Sequence, residues 1–213
     1  DSTTNKYYFT SQSLMMREKM NIYEQYAQYL LGDANAEFST VSGSTTNTIR
    51  EPLFISFKRI FGRDRFKRES FAIRLFQTSS QLTGSDGTGM KIYTDAGSST
   101  NIESSYGGQI STIVDSANTN YPVGLLYIDQ GICVLDTQRI FDTTTQITGT
   151  IDAVNASGRV YMSGNINKLL VSASIDDIID HICTSRFSSG SLTAIAFMNN
   201  TFINRTQFFC NIA

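Results

Sequence analysis

The side chains able to carry proton or metal chemistry are few and scattered. His181 is the only histidine, so a catalytic triad or a histidine-based metal site would have to be built on it. It falls late in a helical pattern, where the helix dipole already favours a histidine, and it is expected to be a helix-end residue. Asp129 and Asp136 flank two apolar runs, and Asp176, Asp177 and Asp180 cluster further on. Paired carboxylates serve acid–base or metal chemistry, but the first pair falls at a turn and a strand end, and the second set contains helix-cap positions. Cys133, Cys183 and Cys210 are odd in number and widely spaced. Cys133 and Cys183 lie inside apolar patterns and read as buried free thiols of a protein made in a reducing compartment. There is no CxxC, HExxH, GxSxG, P-loop or dinucleotide fingerprint. The run Thr83-Gly84-Ser85-Asp86-Gly87-Thr88-Gly89 lacks the Gly-Lys-Ser/Thr ending of a phosphate loop and reads as an exposed loop. Asn-x-Ser/Thr triplets begin at Asn155, Asn199 and Asn204, as composition alone would produce, and imply no glycosylation. Catalytic residues, metal ligands and cofactors are therefore expected to be none.

The densest chemical feature is basic. Lys58, Arg59, Arg63, Arg65, Lys67, Arg68 and Arg74 place seven of the seventeen basic residues within seventeen positions. Such a patch suits phosphate and gives salt-sensitive, sequence-independent nucleic-acid binding. Asp64 and Glu69 interrupt it, and the chain as a whole is acidic, with net charge −2 and pI ≈ 5.4. A solvated hairpin tip or salt bridges between subunits are the more ordinary readings, so nucleic acid is not the expected partner.

Charged residues make up 17% of the chain, below the usual ~25%, and Ser, Thr, Asn and Gln supply much of the polarity. That bias suits a surface facing other protein. No apolar run approaches the roughly 20 residues of a membrane span, and there is no signal-peptide pattern. The chain begins at Asp1 and stops at Cys210-Asn211-Ile212-Ala213 within a strand-like pattern, which is expected of a segment of a longer polypeptide.

The elements that would position these groups give an α+β protein dominated by antiparallel sheet, with two amphipathic helices at about 14–31 and 174–184. Residues 1–12 read as a polar arm and 13–213 as a single structural domain. Tyr121 to Phe141 organises the rest: Val123–Ile128 and Ile132–Leu135 are apolar runs split by Asp129-Gln130-Gly131, a β-hairpin with Gly131 at positive φ. Both runs are continuously apolar, so both faces are expected to be covered. In the first helix Leu14, Met15, Ile22, Tyr23, Tyr26, Tyr29 and Leu30 form a stripe, capped at Ser13 and stopped at Gly32. Asn35–Glu51 reads as a polar loop. Leu53–Phe61 and Phe71–Leu75 read as two strands paired through Gly62-Arg63-Asp64. Met90–Tyr93 and Gln109–Val114 are further strands, and Thr148–Asn155 pairs with Arg159–Ser163. In the second helix, Ser174 and Asp177 have capping-box spacing. Ile175, Ile178, Ile179 and Ile182 form its apolar face. Two strands are expected within Leu192–Ile212, with a turn near Asn199-Asn200.

Several segments together resemble virion structural proteins of large contractile-tailed bacteriophages, particularly the baseplate-wedge class of marine and cyanobacterial phages. They are Arg17-Glu18-Lys19-Met20-Asn21-Ile22-Tyr23; Pro52-Leu53-Phe54-Ile55-Ser56-Phe57-Lys58-Arg59-Ile60-Phe61; Lys67-Arg68-Glu69-Ser70-Phe71; Tyr93-Thr94-Asp95-Ala96-Gly97-Ser98-Ser99; Val123-Gly124-Leu125-Leu126-Tyr127 through Asp136; and Leu170-Val171-Ser172-Ala173-Ser174 through Phe187-Ser188-Ser189-Gly190. The resemblance implies no catalysis, a longer parent chain, residence in the virion tail, and other virion subunits as partners. Aromatic anchors sit at the centre of such contacts. The expected contact residues are Tyr23, Tyr26 and Tyr29 and the basic group Arg59, Arg63, Arg65, Lys67 and Arg68. Two alternatives remain: a DNA-contacting virion protein using Lys58–Arg74, or an adhesin-like β domain binding glycan through Gln77–Gly108.

Overall fold

The computed structural model describes residues 13–42, 45–57, 65–76, 90–100, 103–141, 147–151, 160–164, 173–187, 194–201, 203 and 205–207. Helix α1 spans Ser13–Leu31. It is followed by strands β1 (Ser39–Ser42), β2 (Thr45–Thr48), β3 (Pro52–Ser56), β4 (Arg65–Phe66), β5 (Ala72–Phe76), β6 (Met90–Thr94), β7 (Glu103–Ser105), β8 (Gly108–Asp115), β9 (Asn118–Tyr127) and β10 (Ile132–Asp136). A single helical turn, α2 (Thr137–Ile140), leads to β11 (Ile147–Ile151) and β12 (Val160–Gly164). Helix α3 (Ile175–His181) runs directly into a π turn (Ile182–Arg186), and β13 (Ile195–Ala196) and β14 (Asn199–Asn200) follow. Every pairing among the described strands is antiparallel.

The main sheet has eight strands in the order β13-β5-β6-β8-β9-β10-β3, with β7 also on β8, and it curls into a half-barrel. The central β9–β10 hairpin forms as the apolar pattern predicts. Gly131 sits at φ 67 and its N–H closes the turn on the Tyr127 carbonyl. Pro122 is tolerated within β9 because the β8–β9 register is irregular there, between Ile113 and Asp115; a proline with no N–H to donate fits such a break.

The continuous apolar character of the hairpin reflects two cores on opposite faces of one sheet. Successive strand residues point to opposite sides. Cys133 and Leu135 join a core with Leu126, Ile128, Ile178 and Ile182. Ile132 and Val134 join another with Leu125, Tyr127, Ala27 and Leu30. Helix α1 therefore covers one face and α3 the other.

Both helix boundaries have local causes. Gly32, at φ 83, ends α1 in the left-handed conformation. At α3, Ser174 and Asp177 make the full capping box, and Asp176 and Asp177 sit in the first turn, where the helix dipole favours them.

Four expectations are corrected. Leu53–Phe61 and Phe71–Leu75 do not pair: β3 lies at one end of the sheet beside β10, and β5 lies near the other, between β13 and β6. Their apolar sides meet across the curl instead, where Phe57 packs edge-on against Phe66 and Phe71. The stretch read as a polar loop contains the β1–β2 hairpin, whose base is closed by buried Phe38 and Ile49. Threonine and serine suit a half-exposed ladder. Asn199-Asn200 is strand paired with Arg65–Phe66 rather than a turn. Cys183 is exposed, while Cys133 is buried as expected, and burial pushes its thiol up, which keeps it inert. The β11–β12 pairing forms as read. Its turn at Ala156-Ser157-Gly158, the arm 1–12, Cys210, and the Gly-rich run 83–89 lie outside the described residues.

Candidate interaction surface

Helix α1 presents its apolar face in two halves. Met16, Met20, Tyr23, Ala27 and Leu30 are spaced four, three, four and three residues apart, which places them along one seam. The C-terminal half of that seam is used inside the chain: Ala27 and Leu30 are fully buried. The Tyr23 hydroxyl donates to the Ile49 carbonyl and accepts from the Phe38 N–H, and its burial pushes the phenol pKa up. Tyr26 stacks face to face on Phe54, with ring centroids 4.0 Å apart. The N-terminal half continues past this support, with Met16 47% and Met20 56% exposed.

The predicted stripe is thus partly rotated. Leu14 and Tyr29 lie on the exposed side, and Tyr29 donates to the Gln130 amide oxygen. Of the three tyrosines expected to be contact residues, Tyr23 and Tyr26 pack against their own chain and Tyr29 faces out. Tyr106, 77% exposed, sits at the C-terminal end of α1, with its ring 3.0 Å from where a Cβ on Gly32 would lie.

The described part of the basic stretch is a rigid turn. Phe66 anchors it in the core against Phe57, Phe71 and Phe197. Lys67 N–H donates to the Met198 carbonyl. Glu69 takes φ 57, a left-handed conformation that costs a non-glycine residue about 1 kcal/mol. Asp95 holds it there. This carboxylate is 1% exposed; it accepts from Glu69 N at 2.8 Å, Phe71 N at 3.0 Å and Ser98 Oγ at 3.2 Å. Burial pushes the Asp95 pKa up, and these hydrogen bonds oppose the rise. The Glu69 carboxylate accepts from the Ser99 hydroxyl, which holds it below the usual carboxylate range.

On this frame Arg68 donates to the Ser98 carbonyl at 2.6 Å. Arg65 and Arg68 both donate to Oε1 of Gln109. Lys67 is exposed. The structure therefore brings Arg65, Lys67 and Arg68 together, while Arg59 and Arg63 lie outside the described residues.

The other chemistry-bearing groups do not converge. Asp129 lies in the β9–β10 turn and Asp136 is the last residue of β10, four strand steps beyond Ile132, roughly 13 Å of strand at about 3.3 Å per residue. Asp129 accepts from the Gln109 N–H. Asp136 caps α2 and pairs with Arg139 at 3.7 Å, and burial pushes its pKa up. Asp177 serves the α3 cap, while Asp176 and Asp180 face solvent.

His181 is the last residue of α3, a helix-end residue as the sequence reads, and it is buried there at 1% exposure. Its Nε2 accepts from Arg186 Nε at 3.4 Å. Arg186 is itself fully buried, with its guanidinium 4.6 Å from the centre of the Phe141 ring. Burial, reinforced by Arg186, lowers the His181 pKa to about 4, so the ring is neutral at pH 7. It supplies an acceptor to a buried cation.

Sequence reasoning missed Asp95, Arg186, Met16, Met20 and Tyr106. Asp95 precedes Ala-Gly-Ser-Ser and reads as a turn residue; nothing local shows that it binds an N–H 26 residues upstream. Arg186 follows the helix by a few residues, and only the π turn swings it back under His181. The methionine spacing was legible, because the four-three repeat is visible in the sequence. Comparison with known protein families, curated proteins and solved structures finds no match to this chain.

Proposed function

We propose that this chain is a non-enzymatic structural and assembly protein of a virion, a tail or baseplate component whose work is to hold neighbouring subunits. One observation carries the protein–protein part of this reading: the apolar seam of α1 is half buried in its own chain and continues outward through Met16 and Met20. Contiguous exposed apolar faces mark interaction sites, and methionine and tyrosine are enriched at the centres of interfaces. Few charges and abundant Ser, Thr and Asn suit the same role. The resemblance of the quoted segments supports the tail or baseplate setting, and no helix among the described residues is long and apolar enough to cross a membrane.

The test is a double substitution, Met16→Glu and Met20→Glu. Both side chains are already exposed, so thermal stability is expected to change by no more than about 0.5 kcal/mol. Incorporation into purified virions, measured by quantitative mass spectrometry against the wild-type chain, is expected to fall at least about tenfold, the equivalent of 1.4 kcal/mol of lost contact. Normal incorporation of the folded variant, or absence of the wild-type chain from particles, overturns the reading.

A further inference from the structure

Strand β3 ends the sheet beside β10, and no described strand pairs with its outer side. Which of its backbone groups face outward follows from the bonds it makes. The Thr137 N–H donates to the Glu51 carbonyl and the Phe57 N–H to the Gly131 carbonyl. Between these ends the register sets Leu53 and Ile55 opposite Leu135 and Cys133. In an antiparallel ladder alternate residues exchange bonds with one neighbour, so Glu51, Leu53, Ile55 and Phe57 are the residues that bond β10. The N–H and C=O groups of Phe54 and Ser56, and the carbonyl of Pro52, point the other way, and no described residue bonds them. Such an edge is a template for a further strand. It is little defended: Pro52 blunts only the first position, and Leu53 to Ser56 carries no charge.

The same edge has an apolar roof. Helix α1 runs from the β7–β8 turn, where its Leu30 carbonyl accepts from the Gly107 N–H, to β3, where Tyr26 stacks on Phe54. It does not stop there. Met20 and Met16 lie six and ten residues before Tyr26, about 9 and 15 Å further along the axis at roughly 1.5 Å per residue. One strand spacing is about 4.8 Å. Lys19 Nζ donates to the Ala173 carbonyl at 2.8 Å, reaching from the α1 face to the α3 face round this edge and pinning the helix where it leaves the sheet. The exposed methionines overhang the place an added strand would take, on the face to which the Phe54 side chain points.

We infer that the outer edge of β3 accepts an extended segment of a neighbouring protein subunit as a further strand, antiparallel like the rest of the sheet, with apolar side chains toward Met16 and Met20. The inference takes the assembly reading above as its premise and names the mode of one contact. In strand addition the backbone bonds supply affinity and the alternate side chains supply selection. A residue opposite Phe54 shares its face and turns its own N–H and C=O to β3, so the apolar residues of the segment are also the ones that make the ladder bonds. A second copy of β3 fits poorly. Paired about Phe54, two copies would bring both overhanging helices to one face and into the same space. Pro52, with no N–H, would also leave the Ser56 carbonyl of each copy unmatched.

The test uses the full chain, 15N-labelled, and a synthetic strand, acetyl-Lys-Thr-Val-Thr-Val-Thr-Val-Lys-amide. Two relatives of this peptide are methylated on the backbone nitrogens of the three valines or of the three threonines. The Phe54 and Ser56 amide resonances are expected to shift saturably with the parent and with the threonine-methylated peptide. They are expected not to shift with the valine-methylated one, whose ladder donors are gone. Ser56→Pro removes one outward N–H at an exposed edge position, where proline is tolerated. It is expected to weaken binding at least about tenfold, through one lost bond and the obstruction of the ring. Ser56→Ala keeps the N–H and leaves binding unchanged, and Met20→Ser is expected to weaken it about fivefold by stripping the roof. Amide dispersion shows whether Ser56→Pro is folded; if it is not, the two methylated peptides decide.

No shift at Phe54 and Ser56 with the parent peptide at millimolar concentration, equal binding of the valine-methylated peptide, or loss of binding in Ser56→Ala overturns the inference. So does concentration-dependent dimerisation of the chain that Ser56→Pro abolishes, because a second copy would then hold the edge. Its failure is separable from failure of the assembly reading, which is judged by incorporation of the Met16 and Met20 variant into particles and not by this titration.

Discussion

Acidification should loosen the protein through His181, and by an amount the structure bounds. The ring is buried, its Nδ1 has no hydrogen-bond partner among the described residues, and its Nε2 receives the Arg186 N–H. A proton on Nε2 would remove that acceptor and set a second positive charge beside Arg186. The folded pKa is accordingly held at about 4, against an ordinary value of 6.5. Between these values the unfolded chain binds a proton that the folded chain refuses. Stability therefore falls as pH drops through that window, and this contribution is fully present above it.

Each pH unit of such linkage is worth at most about 1.4 kcal/mol, so the ceiling across the window is about 3 kcal/mol; allowing for solvent screening, about 2 kcal/mol is expected. The assay is urea unfolding at pH 7, 6, 5 and 4 for the wild type and for His181→Gln, which keeps an acceptor for Arg186 but does not titrate. Asp95 and Asp136 have raised pKa values, so acidification favours the folded state through them, the opposite sign. They are common to both proteins and cancel in the difference. The wild type is expected to lose about 2 kcal/mol relative to the variant between pH 6.5 and 4. Parallel stability curves would refute the reasoning, because the buried ring would then be accepting its proton at no cost.

Two further predictions concern the frame. At Gly124 in β9 a Cβ would lie 2.2 Å from the Val134 carbonyl and 3.0 Å from Leu135 Cα. Gly124→Ala should destabilise by about 3 kcal/mol in chemical denaturation. Gly97→Ala meets nothing within 4 Å but keeps φ 82 and should cost only about 1 kcal/mol; similar losses at the two sites would contradict the close strand approach. Phe54→Ala removes the stack on Tyr26 and the edge contacts with Tyr23 and Phe38. It should cost about 3 kcal/mol and speed amide exchange across α1; a loss under about 1 kcal/mol would mean that the helix is not docked through these rings.

Local signals determined the elements whose causes are themselves local. The β9–β10 hairpin follows from two branched apolar runs and Gly131. The α3 cap follows from Ser174 and Asp177, and the end of α1 from Gly32. Continuous rather than alternating hydrophobicity even announced that both faces of the hairpin would be covered. Tertiary structure alone decided which strands pair. β3 and β5 are close in sequence and both apolar, yet they stand near opposite ends of the sheet, because strand order depends on loop closure and on how the sheet curls. It likewise decided that Tyr23 and Tyr26 serve their own core while Met16 and Met20 remain outside. A helix periodicity specifies a face but not how far the supporting sheet extends beneath it. The convergence of Arg65 and Arg68 on Gln109, and of Arg186 on His181, was equally beyond reach of sequence. A charge run shows which cations exist, whereas a shared acceptor requires strands distant in the chain to be laid side by side.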